Sequence, residues 1–230
     1  MSSHRNSKGI TARFPALLGC VLVLGPLLAG CSSEGSGDWS ALIDIARQSW
    51  EQRDGAVPLS EASAIPFATL GVRMGGASER LLILATDSNG ERLWTSAARV
   101  ALTTRRGRIV ATAGLGNDLS GYYSDTAFRT DWKSRRRIAW TADFADLGLY
   151  SVVIDCDDVP VGTEKIKILG REIITLRVDE KCQSSQLDWS FTNTYWVSQI
   201  SDRVWRSIQH VHPKLETLEI ELLRTPETEG

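Results

Sequence analysis

The chain has 230 residues, 42% of them hydrophobic and 23% charged, with a formal net charge of −2. That balance excludes a wholly disordered chain and the strongly basic profile of a nucleic-acid binder. Three histidines and four cysteines leave little material for a multi-metal centre.

Residues 1–13 carry Arg5, Lys8 and Arg13 and no acid, and residues 14–29 are uncharged and largely apolar. A membrane-spanning helix needs about 20 such residues, whereas a signal-peptide core needs about 7–15. Pro15 and Pro26 weaken a stable span further. The stretch ends in Leu28-Ala29-Gly30-Cys31. Small residues before a cysteine let the chain lie extended in a peptidase cleft, and the thiol then accepts a diacylglycerol. The pattern resembles the bacterial lipobox, with Cys31 as the lipidated first residue of the mature chain.

Ser32, and not Asp, follows the cysteine. In a Gram-negative cell the usual sorting rule then implies the outer membrane, with the domain in the periplasm. Several acyl chains hold a protein firmly where one is marginal. Residues 1–30 therefore read as a lipoprotein signal peptide, 31–38 as a flexible Ser/Gly-rich tether, and 39–230 as a single β-rich domain. Losing residues 1–30 removes three cations and no acid, so the formal charge moves from −2 to −5.

Residues 39–52 read as one N-terminal helix: Asp38 or Ser40 caps it, and Trp39, Leu42, Ile43, Ala46 and Trp50 recur at three- and four-residue spacing. With Arg47 the one basic residue in its middle, the stripe fits core packing better than a membrane-surface face. From residue 65 the period changes to two. Strands 80–86 and 91–96 flank Asn89-Gly90, a strong hairpin signal, and strands 99–104 and 108–113 flank Arg106-Gly107. Strands follow at 137–144, 150–155, 165–169 and 172–179, the last two around Gly170. Residues 187–197 place Leu187, Trp189, Phe191, Tyr195 and Val197 on one face, interrupted by Asn193. A final strand, 217–223, turns Leu218, Ile220 and Leu222 inward. The expected fold is mainly β: an antiparallel meander forming a sandwich or a barrel-like domain.

Cys156 and Cys182 remain after Cys20 leaves with the signal and Cys31 takes lipid. An even pair in an oxidising compartment suits a disulfide, here at the base of the hairpin around Gly170; two buried thiols are the alternative. His210 and His212 sit two apart but lack a third ligand at suitable spacing, so no metal is expected. Gly114-Leu115-Gly116-Asn117-Asp118 opens no helix and reads as a tight turn, not a phosphate cradle. Asp143, Asp146, Asp155, Asp157 and Asp158 read as solvated acids, since glycoside hydrolysis needs two carboxyls at a fixed separation.

Two basic clusters stand against the acidic background: Arg105, Arg106 and Arg108 about a turn, and Lys133, Arg135, Arg136 and Arg137 opening a strand. Guanidiniums pair with carboxylates and phosphates, so an acidic glycan or lipid headgroup is a candidate partner; strand-edge protection is the alternative. Trp196 lies on the polar face of the strand at 187–197, where an exposed indole beside Ser and Thr would suit sugar stacking, unless a second layer covers it. Trp196, Arg105, Arg106 and Arg108 are thus the candidate glycan contacts, with no catalytic residues and no cofactor expected.

Asn193-Thr194-Tyr195-Trp196, then Arg203-Val204-Trp205-Arg206-Ser207-Ile208-Gln209, then a strand ending at Pro226, resembles the YjbF/GfcB lipoprotein family. Arg108-Ile109-Val110 and Gly114-Leu115-Gly116-Asn117 are similar to its central segment, and the resemblance covers most of residues 65–225. It implies a β-rich outer-membrane lipoprotein associated with secretion or assembly of group 4 capsule or another exopolysaccharide. It also implies envelope export proteins, including an outer-membrane β-barrel, as partners. The competing readings are a carbohydrate-binding surface module and, ranked last, a glycan hydrolase or lyase.

Overall fold

The structure, a computed structural model, describes residues 58–124 and 131–226. Cys31, the signal peptide, the tether and the helix expected at 39–52 lie outside the described residues. A short helix, α1 (Leu59–Ala64), precedes twelve strands. These are β1 (Thr69–Met74), β2 (Arg80–Ser88), β3 (Glu91–Thr95), β4 (Ala101–Arg105), β5 (Arg108–Ala113) and β6 (Gly121–Tyr123), then β7 (Arg136–Phe144), β8 (Leu149–Ile168), β9 (Arg171–Ser184), β10 (Trp189–Ser198), β11 (Val204–Gln209) and β12 (Leu218–Arg224). Among the described residues no helix is long and apolar enough to cross a membrane.

Every pairing is antiparallel, and the sheet order is β5-β4-β3-β2-β1-β12-β11-β10-β9-β8-β7-β6. Each strand lies beside its sequence neighbour except at β1–β12, which joins the two halves, and at the seam between β5 and β6. There the Thr112 N–H donates to the Leu119 carbonyl at 2.8 Å, and the Leu119 N–H donates to Thr112 Oγ1 at 2.9 Å. The sheet is therefore a nearly closed barrel, which settles the choice between sandwich and barrel.

Period-two burial builds the interior. Ile138, Trp140, Ala142 and Phe144 from β7, Val152, Ile154 and Cys156 from β8, and Leu218, Ile220 and Leu222 from β12 belong to one continuous apolar cluster. Each such side chain contributes about 1.5–3 kcal/mol on burial. The face of β10 that carries Phe191, Tyr195 and Val197 turns inward as the alternation requires, and Asn193 goes in with it.

The segments expected as strands at 150–155 and 165–169 are one strand of 20 residues. Pro160 interrupts the pattern, but it sits beside a register shift between Pro160 and Gly162, where a missing ladder donor is tolerated. β10 pairs with β9 only as far as Ser198 opposite Thr175. Beyond that point the β8–β9 hairpin folds over the outer face of the sheet. Ile166 and Ile168 there join Ala62, Ile65, Leu81, Ile83, Trp196 and Leu223 in a second apolar cluster. β1, β6 and β11 complete the sheet where no strand was expected from the sequence pattern.

Candidate functional site

The Arg105–Arg108 segment divides by the same alternation. Arg105 is half-buried, with Nη1 3.8 Å from Glu91 Oε1. Arg106 is exposed at the β4–β5 turn. Arg108 is only 6% exposed and points into the barrel, which removes it from the surface contacts expected of it.

The Arg108 guanidinium grips Glu180 of β9 with both nitrogens, Nη2–Oε1 at 2.6 Å and Nη1–Oε2 at 2.7 Å. Arg108 Nη1 also donates to the Tyr195 hydroxyl at 3.0 Å, and that hydroxyl and Asn193 Nδ2 donate to Glu180 Oε2 at 3.3 and 2.8 Å. Burial opposes the Glu180 charge, but attraction to Arg108 and hydrogen bonds from Arg108, Asn193 and Tyr195 outweigh it and hold the carboxyl below its usual range. Burial pushes the Tyr122 phenol up to about 12 and lifts Tyr195 well above its ordinary value. Tyr122 lies under the Arg108 guanidinium, 5.6 Å from its ring centre, and stacks on Trp140 at 4.4 Å.

Sequence reading missed this network. The signal was present: Glu180 lies between Val178 and Cys182, and Asn193 between Phe191 and Tyr195, each polar residue on the inward parity of its strand. Glu180 and Arg108 are paired with one another inside the barrel, so the cluster bridges β5 and β9.

Gln209 of β11 completes the network toward the turn. Its Oε1 accepts the Ile109 N–H at 2.9 Å, and its Nε2 donates to the Gly107 carbonyl at 2.9 Å and to Ser207 Oγ at 2.8 Å. Gly107 has φ +81°, and a Cβ there would lie 2.4 Å from Val204 Cβ, so the turn packs backbone-close against β11.

Beside this turn opens a cleft of about 560 Å³, bounded by Gly90 of the β2–β3 turn, Arg106 and Gly107, and Ser201–Arg203 of the β10–β11 loop. Arg92 also lines it, and Trp94, Val204 and Leu222 form an apolar floor. Trp94 is held there by its Nε1–H, which donates to Thr104 Oγ1 at 2.8 Å. Arg92 pairs with Asp87 at 2.9 Å, and the Arg203 guanidinium lies 5.3 Å from the Trp205 ring centre.

Trp196 does not present a ring to solvent. It is 7% exposed, because the β8–β9 hairpin lies over that face, with Arg177 and Arg206 6.0 and 5.7 Å from the ring centre. The covering layer corrects the stacking role expected of it. Cys156 and Cys182, opposite one another on β8 and β9, are joined by a disulfide with Cα atoms 4.1 Å apart. Trp140 Nε1 lies 3.1 Å from Cys156 Sγ, so the bridge is part of the barrel interior.

The remaining candidates are accounted for locally. His212 Nδ1 accepts the Lys214 N–H at 3.1 Å, which leaves Nε2 to donate to Asp146 Oδ1 at 3.1 Å, while His210 packs on Phe191. Asp118 accepts the N–H groups of Gly114 and Leu115 and the Thr112 hydroxyl, so the glycine-rich turn is closed by its own carboxylate. Across β7 and β8, Arg136 faces Asp158 and Arg137 faces Asp157 in register, which sets the second basic cluster against the acidic run.

The chain belongs to the family described as "Group 4 capsule polysaccharide lipoprotein gfcB, YjbF", whose sequence pattern matches residues 43–223. The uncharacterized lipoprotein GfcB of Escherichia coli strain K12 is 23% identical over 203 residues, spanning 86% of this chain and 93% of that protein. The crystal structure of the hypothetical lipoprotein YmcC from the same organism has the same fold, with a TM-score of 0.63 at 21% identity over 80% of this chain and 96% of that one.

Proposed function

We propose that the chain is a non-enzymatic outer-membrane lipoprotein that assists secretion or assembly of an exopolysaccharide or group 4 capsule. Membership of a family described by group 4 capsule polysaccharide carries this reading. The Leu28-Ala29-Gly30-Cys31 sequence supports anchoring through lipid on Cys31, and Ser32 supports outer-membrane sorting. Residues 1–30 then act as signal and 31–38 as tether, leaving 39–230 as one periplasmic domain. Its partners are the polysaccharide, an acidic one for a surface carrying Arg105 and Arg106, and other export proteins of the envelope.

The pairing of the buried Arg108 and Glu180 charges with each other supports the non-enzymatic reading. The test is surface polysaccharide in a deletion strain complemented with wild type or Cys31→Ala. Wild type is expected to restore the polymer and Cys31→Ala to fail, although the domain remains folded. Normal polymer in the deletion strain overturns the reading.

A further inference from the structure

Three loops of different origin converge on the cleft beside the β4–β5 turn, and three of its side chains are guanidiniums: Arg92, Arg106 and Arg203. One carboxylate, Asp202, lines it with them. The cleft's volume of about 560 Å³ falls within the range of small-ligand sites, and its floor of Trp94, Val204 and Leu222 is apolar. Cationic walls suit a ligand with a negatively charged edge.

Arg106 adds a separate observation. It occupies the first position of a two-residue turn with φ +50°, where Asn, Asp or Gly is favoured; Asn89 fills the equivalent position in the β2–β3 turn with φ +53°. Arg99, Ser151, Leu169 and Asp188 share the left-handed conformation elsewhere in the fold, and Asp202 shares it in the cleft itself, with φ +53°. Arg106 is exposed and makes no ion pair among the described residues. Its unfavourable backbone is therefore not offset by packing, and backbone strain of this kind gathers at ligand sites. The turn is also rigid: Gln209 holds the Gly107 carbonyl, and Arg108 is anchored to Glu180 immediately behind it. A preformed wall loses little freedom on binding.

We infer that this cleft binds an anionic sugar residue, with Arg106 and Arg203 taking its carboxylate or phosphate. The inference rests on the export reading, and it names the site and the ligand chemistry. The full-length chain, purified in detergent, is titrated calorimetrically at low salt with tetragalacturonate, mannose 6-phosphate and neutral maltotetraose. At least one anionic probe is expected to bind, with affinity falling as salt rises, and maltotetraose to bind about tenfold more weakly or not at all. The stronger of the two anionic probes identifies the anion as carboxylate or phosphate.

Arg106→Asn is the decisive variant, because asparagine suits the turn. It is expected to keep or raise the melting temperature while lowering affinity for the anionic probe about tenfold. Arg203→Gln is expected to weaken binding in the same direction. Unchanged affinity in Arg106→Asn, or no binding of either anionic probe, overturns the inference. The two proposals fail separately: a chain that restores surface polymer but binds neither probe loses the cleft and keeps the export role. A chain that binds in vitro but whose deletion leaves the polymer normal loses the export role and keeps the cleft.

Discussion

Arg108 and Glu180 stand on strands far apart in the sheet order and meet inside the barrel. Burying both charges is costly, and the return comes from bidentate geometry and the donors of Asn193 and Tyr195. Arg108→Ala leaves Glu180 buried without its counter-ion and is expected to cost about 3–5 kcal/mol in chemical denaturation. Adding Glu180→Gln is expected to recover part of that loss. Acidity acts on the same residues. Glu180 titrates below its unfolded value, so its stabilisation is present above the unfolded carboxylate pKa and is lost as the pH falls through the folded value. Burial lowers His210 as well, so destabilisation begins below the ordinary imidazole pKa of about 6.5 and deepens below the carboxylate range. Denaturation midpoints measured from pH 8 to pH 3 check this order. At this scale the sequence showed where polar residues entered the inward parity, as at Asn193. It did not show which charge on a distant strand would meet them.

Among the strands, legibility followed the hydrophobic alternation. β7, β10 and β12 read clearly because one parity is mostly apolar and the other mostly is not, whereas β2 was marked by the Asn89-Gly90 turn, since Leu82 joins the interior cluster and Leu81 and Ile83 the outer one. β11 inverts the rule: Ser207 and Gln209 are buried, while Ile208 packs on the outer cluster. A strand covered on both faces, with polar groups inside, carries no clean period. The folded-over end of the β8–β9 hairpin caused the misplacement of Trp196, since a covering layer made of the chain's own residues leaves no mark on the strand it covers. Trp196→Ala is expected to cost about 3–5 kcal/mol, as for a core aromatic, and to leave affinity for the anionic probe unchanged, read by denaturation and the same titration. The disulfide was legible because the Gly170 hairpin sets Cys156 and Cys182 opposite one another. Joint replacement of both by Ala is expected to lower stability by about 3–4 kcal/mol, measured by urea denaturation, on the chain-entropy account for a separation of 26 residues.

At the scale of the whole molecule, successive hairpins could be traced along the chain, but the contact that closes them could not. β1 and β12 pair across nearly the whole described length, and no local pattern encodes such a partner. The same pairing sets the first residue of β1 beside the last of β12. Thr69 lies opposite Arg224, on the rim that carries the β2–β3 and β4–β5 turns. Gly76, in the β1–β2 connection on the opposite rim, has open space around it. An epitope inserted at Gly76 reports on the domain from the rim opposite the one where the cleft opens and where Arg224 ends β12. For labelling in living cells, the internal position is the one that leaves the ligand's approach unobstructed.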